Sequence, residues 1–265
     1  MKTAEEQLRS LLVPVKSCIK FITDEMQVTS YAIRGAYVLE ASPDIIRLAE
    51  QAAPSDRKFF QIIKKITAPV SSTSEKLAEF RRGGFENFYR HSLISIWGAF
   101  EACIENLFVS AIKNDEQLFN AAKSCLKKWN ISFFEMDDSD FRKLYRRIEK
   151  AIKNEDIYSV YDKILNIINL KISLSDVEKV AFVEANAVRN CVLHAASIVD
   201  EMAVERAPSL QQHICKSIKI NKIEYHAYTN VVINILMQIS VLIMTGEYAK
   251  KIKEEFELGR KWPGT

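Results

Sequence analysis

Seven glycines and six prolines are all that punctuate this chain of 265 residues. That scarcity removes most folds from consideration. A strand-rich chain needs a turn roughly every 8–12 residues, built from residues that tolerate φ > 0 or fix φ. Here the turn formers are too few, and no stretch alternates strictly between apolar and polar. Helical periodicity with capping signals recurs instead along almost the whole length. The chain therefore reads as all-α, an up-and-down helical bundle, and it is long enough to bury a substantial core as one large domain or two smaller ones.

Punctuation sets the expected elements. Ser42-Pro43-Asp44 supplies an N-cap, a proline at the first helical position and an early acid, predicting a short helix to about Ala52. A second helix follows Pro54-Ser55. The run from Ala68 to Ser74 and then Gly83-Gly84 read as breaks, which divides the chain into an N-terminal helical region, 1–82, and a helical bundle domain, 83–265. One uninterrupted pattern runs from Phe85 to about Asn114. Amphipathic segments follow over about 116–129, 139–153 and 156–169. Ser175-Asp176-Val177-Glu178 is a capping box that opens a helix expected to reach about Val204, ahead of Pro208. A last long helix is predicted from Lys222 to about Phe256.

Composition narrows the function classes. Cys18, Cys103, Cys125, Cys191 and Cys215 are odd in number and form no C-x-x-C pair, which argues against a disulfide framework and a zinc site and for small buried residues in a reducing compartment. Acidic residues Glu5 and Glu6 stand where a signal peptide needs an apolar core. The apolar run Val231 to Met244 is short of a spanning helix and carries Asn234, Gln238 and Ser240, so it reads as a core helix. The expected setting is cytoplasmic, with no membrane partner. A net charge of +3 leaves any nucleic-acid contact to local patches.

The chemistry concentrates on the capped helix. Winding residues 176–201 at 100° per residue gathers Val177, Val180, Ala181, Ala187, Val188, Cys191, Val192, Ala195, Ile198 and Val199 on one side. Lys179, Asn186, Arg189, Asn190, His194, Ser197, Asp200 and Glu201 fall on the other. Asn190 and His194 stack four apart, and Arg189 flanks them with a side chain long enough to curl toward the same spot. A guanidinium offers a cationic fork for phosphate, an imidazole exchanges a proton near neutral pH, and an amide can orient either partner. The three form a minimal set for metal-free phosphoryl chemistry. The ordinary alternative is a solvated helix face, since an Arg-x-x-x-x-His spacing alone is a short motif.

The run Arg189-Asn190-Cys191-Val192-Leu193-His194 resembles the R-x4-6-H motif of the HEPN superfamily, in the form with a polar residue after the arginine. Upstream, Ser92-Leu93-Ile94-Ser95-Ile96-Trp97-Gly98-Ala99-Phe100-Glu101 is similar to the first long helix of prokaryotic HEPN families, and the element order over about 85–256 agrees. The resemblance implies a bundle that dimerises so that two motif helices face each other across a shared cleft. It implies a metal-independent endoribonuclease of a toxin-antitoxin, abortive-infection or other phage-defence system, with an RNA substrate, no cofactor, and a possible antitoxin or defence-system partner protein. Arg189, Asn190 and His194 occupy the matching catalytic positions.

On that reading the RNA 2'-hydroxyl attacks its own phosphodiester, His194 acts as general base or acid, Arg189 holds the phosphate, and Asn190 positions one or the other. Glu101 lies on an apolar stretch where an unpaired carboxylate would be costly, so it should have a partner, either Arg189 or another Lys or Arg. Lys216, Lys219 and Lys222, and then Lys250, Lys251 and Lys253, could follow an RNA backbone, or simply solvate their helices. Two other readings remain: a non-catalytic interaction or nucleotide-binding module, and a plain helical scaffold.

Overall fold

The computed structural model describes residues 3–52, 57–128, 140–246 and 249–250. Among them are nine α-helices: α1 (Ala4–Ala52), α2 (Arg57–Arg82), α3 (Glu86–Asn114), α4 (Glu116–Lys128), α5 (Phe141–Ile152), α6 (Ile157–Ile167), α7 (Asp176–His194), α8 (Glu201–Arg206) and α9 (Lys222–Thr245). A short 3-10 helix, Pro208–His213, follows α8. The protein is all-α: the described residues hold no strand, only isolated bridges pairing Ile198 with Ser217 and Val199 with Ile214.

α3 is the central rod. Its buried residues Leu93, Ile96, Trp97, Phe100, Ile104, Leu107 and Phe108 meet partners from α1, α5, α7 and α9. α1 lies antiparallel along it, with the Gln7 amide donating to the Asn114 carbonyl at one end and the Tyr37 and Phe85 rings in edge contact at the other. α2 folds back on α1, where the Ser74 hydroxyl donates to the Glu40 carbonyl and Arg81 pairs with Glu40. Leu11, Val15, Cys18, Ile22, Ala36 and Leu77 of this hairpin belong to the same buried cluster as Phe100 and Ile235. α3 and α9 are long and apolar enough by composition to cross a membrane, and both pack into this core.

Two expected breaks are absent. Ser42-Pro43-Asp44 starts no new helix: α1 runs through it, and although Pro43 has no N–H for the Leu39 carbonyl, the Ser42 hydroxyl donates to that oxygen at 2.7 Å. Residues 68–74 likewise continue α2, held against α1 by the Ser74 contact. The break at Gly83-Gly84 is real, with Gly84 at φ 70 and Phe85 at φ 58. Of the five cysteines, Cys18, Cys103 and Cys191 are buried as expected, whereas Cys125 is half-buried and Cys215 exposed. Trp129, Lys251, Lys253 and the expected end of the last helix at Phe256 lie outside the described residues.

Candidate active site

α7 is fixed from both ends and on both flanks. Its N-terminus carries the full capping box, Ser175 accepting from the Glu178 N–H and Glu178 accepting from the Ser175 N–H. Glu178 also accepts from Asn234 of α9, and Tyr228 of the same helix donates to Glu184. These contacts explain one polar interruption in the apolar run of α9. Another, Gln238, exchanges two hydrogen bonds with the Ser173 backbone just before α7. Toward α3 and α6, Phe182 packs on Trp97, Phe100 and Tyr161 with ring centroids 5.0–5.9 Å apart.

The helix is shorter than its sequence pattern predicts. α7 stops at His194, and the chain turns through Ala196 and Ser197, both at positive φ, with the Ser197 N–H donating to the Cys191 carbonyl at 2.9 Å. Asp200 then caps α8 by accepting from the Ala203 N–H at 2.8 Å. The competing cap is the physical reason: Asp200 offers a new helix start, and the 198–199 segment takes extended bridges to 214–217. Ser197, Asp200 and Glu201 therefore do not belong to the polar arc of α7. The apolar arc shifts too. Val177 and Val180 are exposed, and the buried side is made by Phe182, Ala185, Ala187, Val188 and Cys191.

Arg189 faces α3. Its Nη2 donates to Glu101 Oε2 at 2.9 Å and its Nη1 to Asn190 Oδ1 at 2.9 Å, while Glu101 Oε1 accepts from Trp97 Nε1 at 3.1 Å. The result is a chain of four side chains, Trp97, Glu101, Arg189 and Asn190. Glu149 is raised above the ordinary glutamate value, first by burial and then by the carboxylates of Glu101 and Glu105, with Arg146 opposing. Tyr161 is raised in the same way, chiefly by burial. Arg189 Nε is buried with no hydrogen-bond partner.

His194 opens elsewhere. It is exposed at the end of α7 and lines a cavity of about 320 Å³ together with Asn190, Cys191, Asp200, Met202 and Arg206. Five residues of helix separate its direction from that of Arg189 by about 140°, with Asn190 in between. A single chain thus brings Arg189 to Asn190 and Glu101, and His194 to Asn190 and Arg206, while no hydrogen bond or ion pair joins Arg189 to His194 among the described residues. A larger groove of about 920 Å³ abuts this cavity and shares Asn190, Met202 and Arg206 with it. Lys216, Lys219 and Lys222 are exposed on the segment leading into α9 and line neither space. Lys216 donates to the Gln212 carbonyl.

Arg206 is the residue the sequence reading did not single out. A helix drawn to Val204 would carry it roughly 25 Å along the axis from Asn190. Only the turn at 195–199 folds it back. The signal that could have found it is Asp200-Glu201, an N-cap residue followed by an acid in the first turn, inside an apparently continuous pattern. Comparison of the chain with protein-family models, with curated proteins and with solved structures finds no match.

Proposed function

We propose that this protein is a metal-independent endoribonuclease of the HEPN type, acting in toxin-antitoxin or phage-defence biology, with Arg189, Asn190 and His194 as its reacting set. The observation that carries the reading is the treatment of the three side chains. Arg189 and Asn190 are pre-oriented by Glu101 and Trp97, whereas His194 is exposed, has no side-chain partner among the described residues, and lines a cavity that the same Asn190 also lines. A fixed charge and a proton carrier are the two groups that attack by a 2'-hydroxyl on its own phosphodiester calls on. Because Arg189 and His194 diverge on one helix, the reading includes a homodimer in which a second α7 supplies the complementary flank. RNA is the substrate, the compartment is the cytoplasm, and no cofactor takes part.

The test is cleavage of a mixed-sequence RNA by the purified chain in the presence of a chelator. Wild type is expected to leave 2',3'-cyclic phosphate and 5'-hydroxyl ends. His194→Ala is expected to lose about 10²–10⁴ in rate and Arg189→Ala a comparable amount. Cleavage that needs a metal, or that survives both substitutions, overturns the reading.

One observation favours a second reading. Arg189 is already paired with Glu101, as a structural guanidinium would be, which suits a non-catalytic module that binds a nucleotide or partner. That module would bind RNA or nucleotide with no cleavage product at any enzyme concentration.

A further inference from the structure

The cation that shares a cavity with His194 in one chain is Arg206, not Arg189. Arg206 sits on the last turn of α8, exposed, and makes no ion pair or side-chain hydrogen bond among the described residues. Its position is nonetheless defined. Asp200 caps α8, Ala203 and Ala207 are buried on either side of it, and the bridges of Ile198 and Val199 anchor the preceding segment. The one carboxylate that lines the same cavity, Asp200, is engaged by the Ala203 N–H. The remaining lining, Ala187, Cys191, Ala195, Met202 and Ala203, offers nothing to neutralise a guanidinium.

The adjoining groove has different chemistry. Ile157, Val160, Val183 and Met202 give it an apolar floor, and Asn154, Asn186 and Asn190 bring amides to it. Its acids are Glu149, Glu155, Asp156 and Glu205; Glu155 pairs with Lys163 and Asp156 caps α6. Its cations are Lys150, Lys153 and Arg206, and the floor with its amides fits a nucleobase better than a run of phosphates. We propose that Arg206 binds a phosphate of the nucleic-acid substrate beside His194 and Asn190, with the adjacent base lying in the groove between α5, α6, α7 and α8. This rests on the ribonuclease reading and deepens it by placing the phosphate within a single protomer. An exposed guanidinium with no ion pair among the described residues can form a bidentate pair with phosphate and is suited to that role.

The experiment uses the full chain and a 2'-O-methyl RNA 12-mer, which can bind but cannot cleave itself, titrated at several salt concentrations beside unmodified RNA in a cleavage assay. Arg206→Ala is expected to weaken 12-mer binding at least about tenfold and to lower the slope of log affinity against log salt by about one. Its melting temperature should stay with the wild type, because the side chain is exposed and unpaired. Arg206→Lys should restore the slope but not the full affinity, because an ammonium cannot form the bidentate pair. If wild type cleaves, His194→Ala does not, and Arg206→Ala binds and cleaves normally, the Arg206 proposal falls and the ribonuclease reading stands. If nothing is cleaved but 12-mer binding depends on Arg206, the ribonuclease reading falls and the phosphate site stands. Absence of both binding and cleavage removes both.

Discussion

The contact between Glu101 and Arg189 can be measured apart from any catalysis, by a double-mutant cycle. The Arg189 side chain is 19% exposed and that of Glu101 37%, so the pair lies between the exposed and buried limits. Exposed pairs are worth about 0.2–1 kcal/mol, and breaking a buried one costs about 3–5 kcal/mol. A coupling of about 1–2 kcal/mol is expected for this pair once its partial solvation is discounted. The single substitutions should differ in an informative way. Trp97 is fully buried, and its indole N–H donates to Glu101. Glu101→Gln keeps an amide oxygen for that donor and should cost about 1 kcal/mol. Glu101→Ala strands it and should cost a further 1–3 kcal/mol or so.

The assay is urea unfolding at constant slope and fixed protein concentration, since self-association would shift the midpoint by mass action. In a chain of this size each kcal/mol moves the thermal midpoint by about 2–4 °C. A coupling under about 0.3 kcal/mol, or equal costs for Glu101→Gln and Glu101→Ala, would refute the idea that Glu101 bridges Trp97 and Arg189.

Glu149 gives a pH signature. Its folded-state carboxyl holds its proton above the ordinary glutamate value, chiefly through burial, so the unfolded chain releases that proton first and stability falls as pH rises through that interval. Glu149→Gln should therefore gain on the wild type in melting temperature as pH rises from the ordinary glutamate value toward neutrality, and a gap that does not change with pH would contradict this. Phe182→Ala removes the ring that joins Trp97, Phe100 and Tyr161 and should cost about 3–5 kcal/mol in urea unfolding. A loss under about 1 kcal/mol would mean that the cluster is not the anchor of α7. Two glycines should respond in opposite directions. Gly84→Ala places a Cβ at φ 70 and should destabilise by about 1 kcal/mol, whereas Gly98→Ala, inside α3 with open space around the new methyl, should stabilise by about 0.5–1 kcal/mol. Equal shifts in thermal midpoint would count against the conformational argument.

Much of the fold is legible in the sequence because helices announce themselves locally. α3, α5, α6 and the start of α7 follow from periodicity and caps that act over a few residues: Asp140 accepting from the Lys143 N–H, Asp156 from the Ser159 N–H, and Ser175 with Glu178. The misreadings share one cause. Ser42 and Pro43 look like a helix start, yet a neighbouring hydroxyl satisfies the carbonyl that Pro43 leaves unpaired, and packing on α2 and α3 carries α1 through. At 195–199 the reverse occurs, where an apparently continuous pattern yields to the Asp200 cap and bridges to residues 214–217 that lie distant in sequence. The same limit applies to the site. Asn190 and His194 share a face because they are four apart, which spacing can show. The meeting of Arg189 with Glu101 spans 88 residues, and the placing of Arg206 in the cavity that Asn190 lines depends on the turn, so neither follows from spacing.

The distribution of unpaired charge around α7 argues for a ligand more strongly than the motif does. Where this fold pairs ions it does so readily: Arg189 with Glu101, Arg142 with Glu105, Lys163 with Glu155. Asp200 lines the cavity with His194 and Arg206 and accepts from the Ala203 N–H, but among the described residues it forms an ion pair with neither. Two cation-capable side chains thus line one cavity together with a single carboxylate that is paired with neither among the described residues. A site for an anion needs such groups preplaced at a concave surface and not locked in ion pairs of their own. On this argument the break in α7 is what brings Arg206 to the cavity, because a helix continued to Val204 would carry it away along the axis.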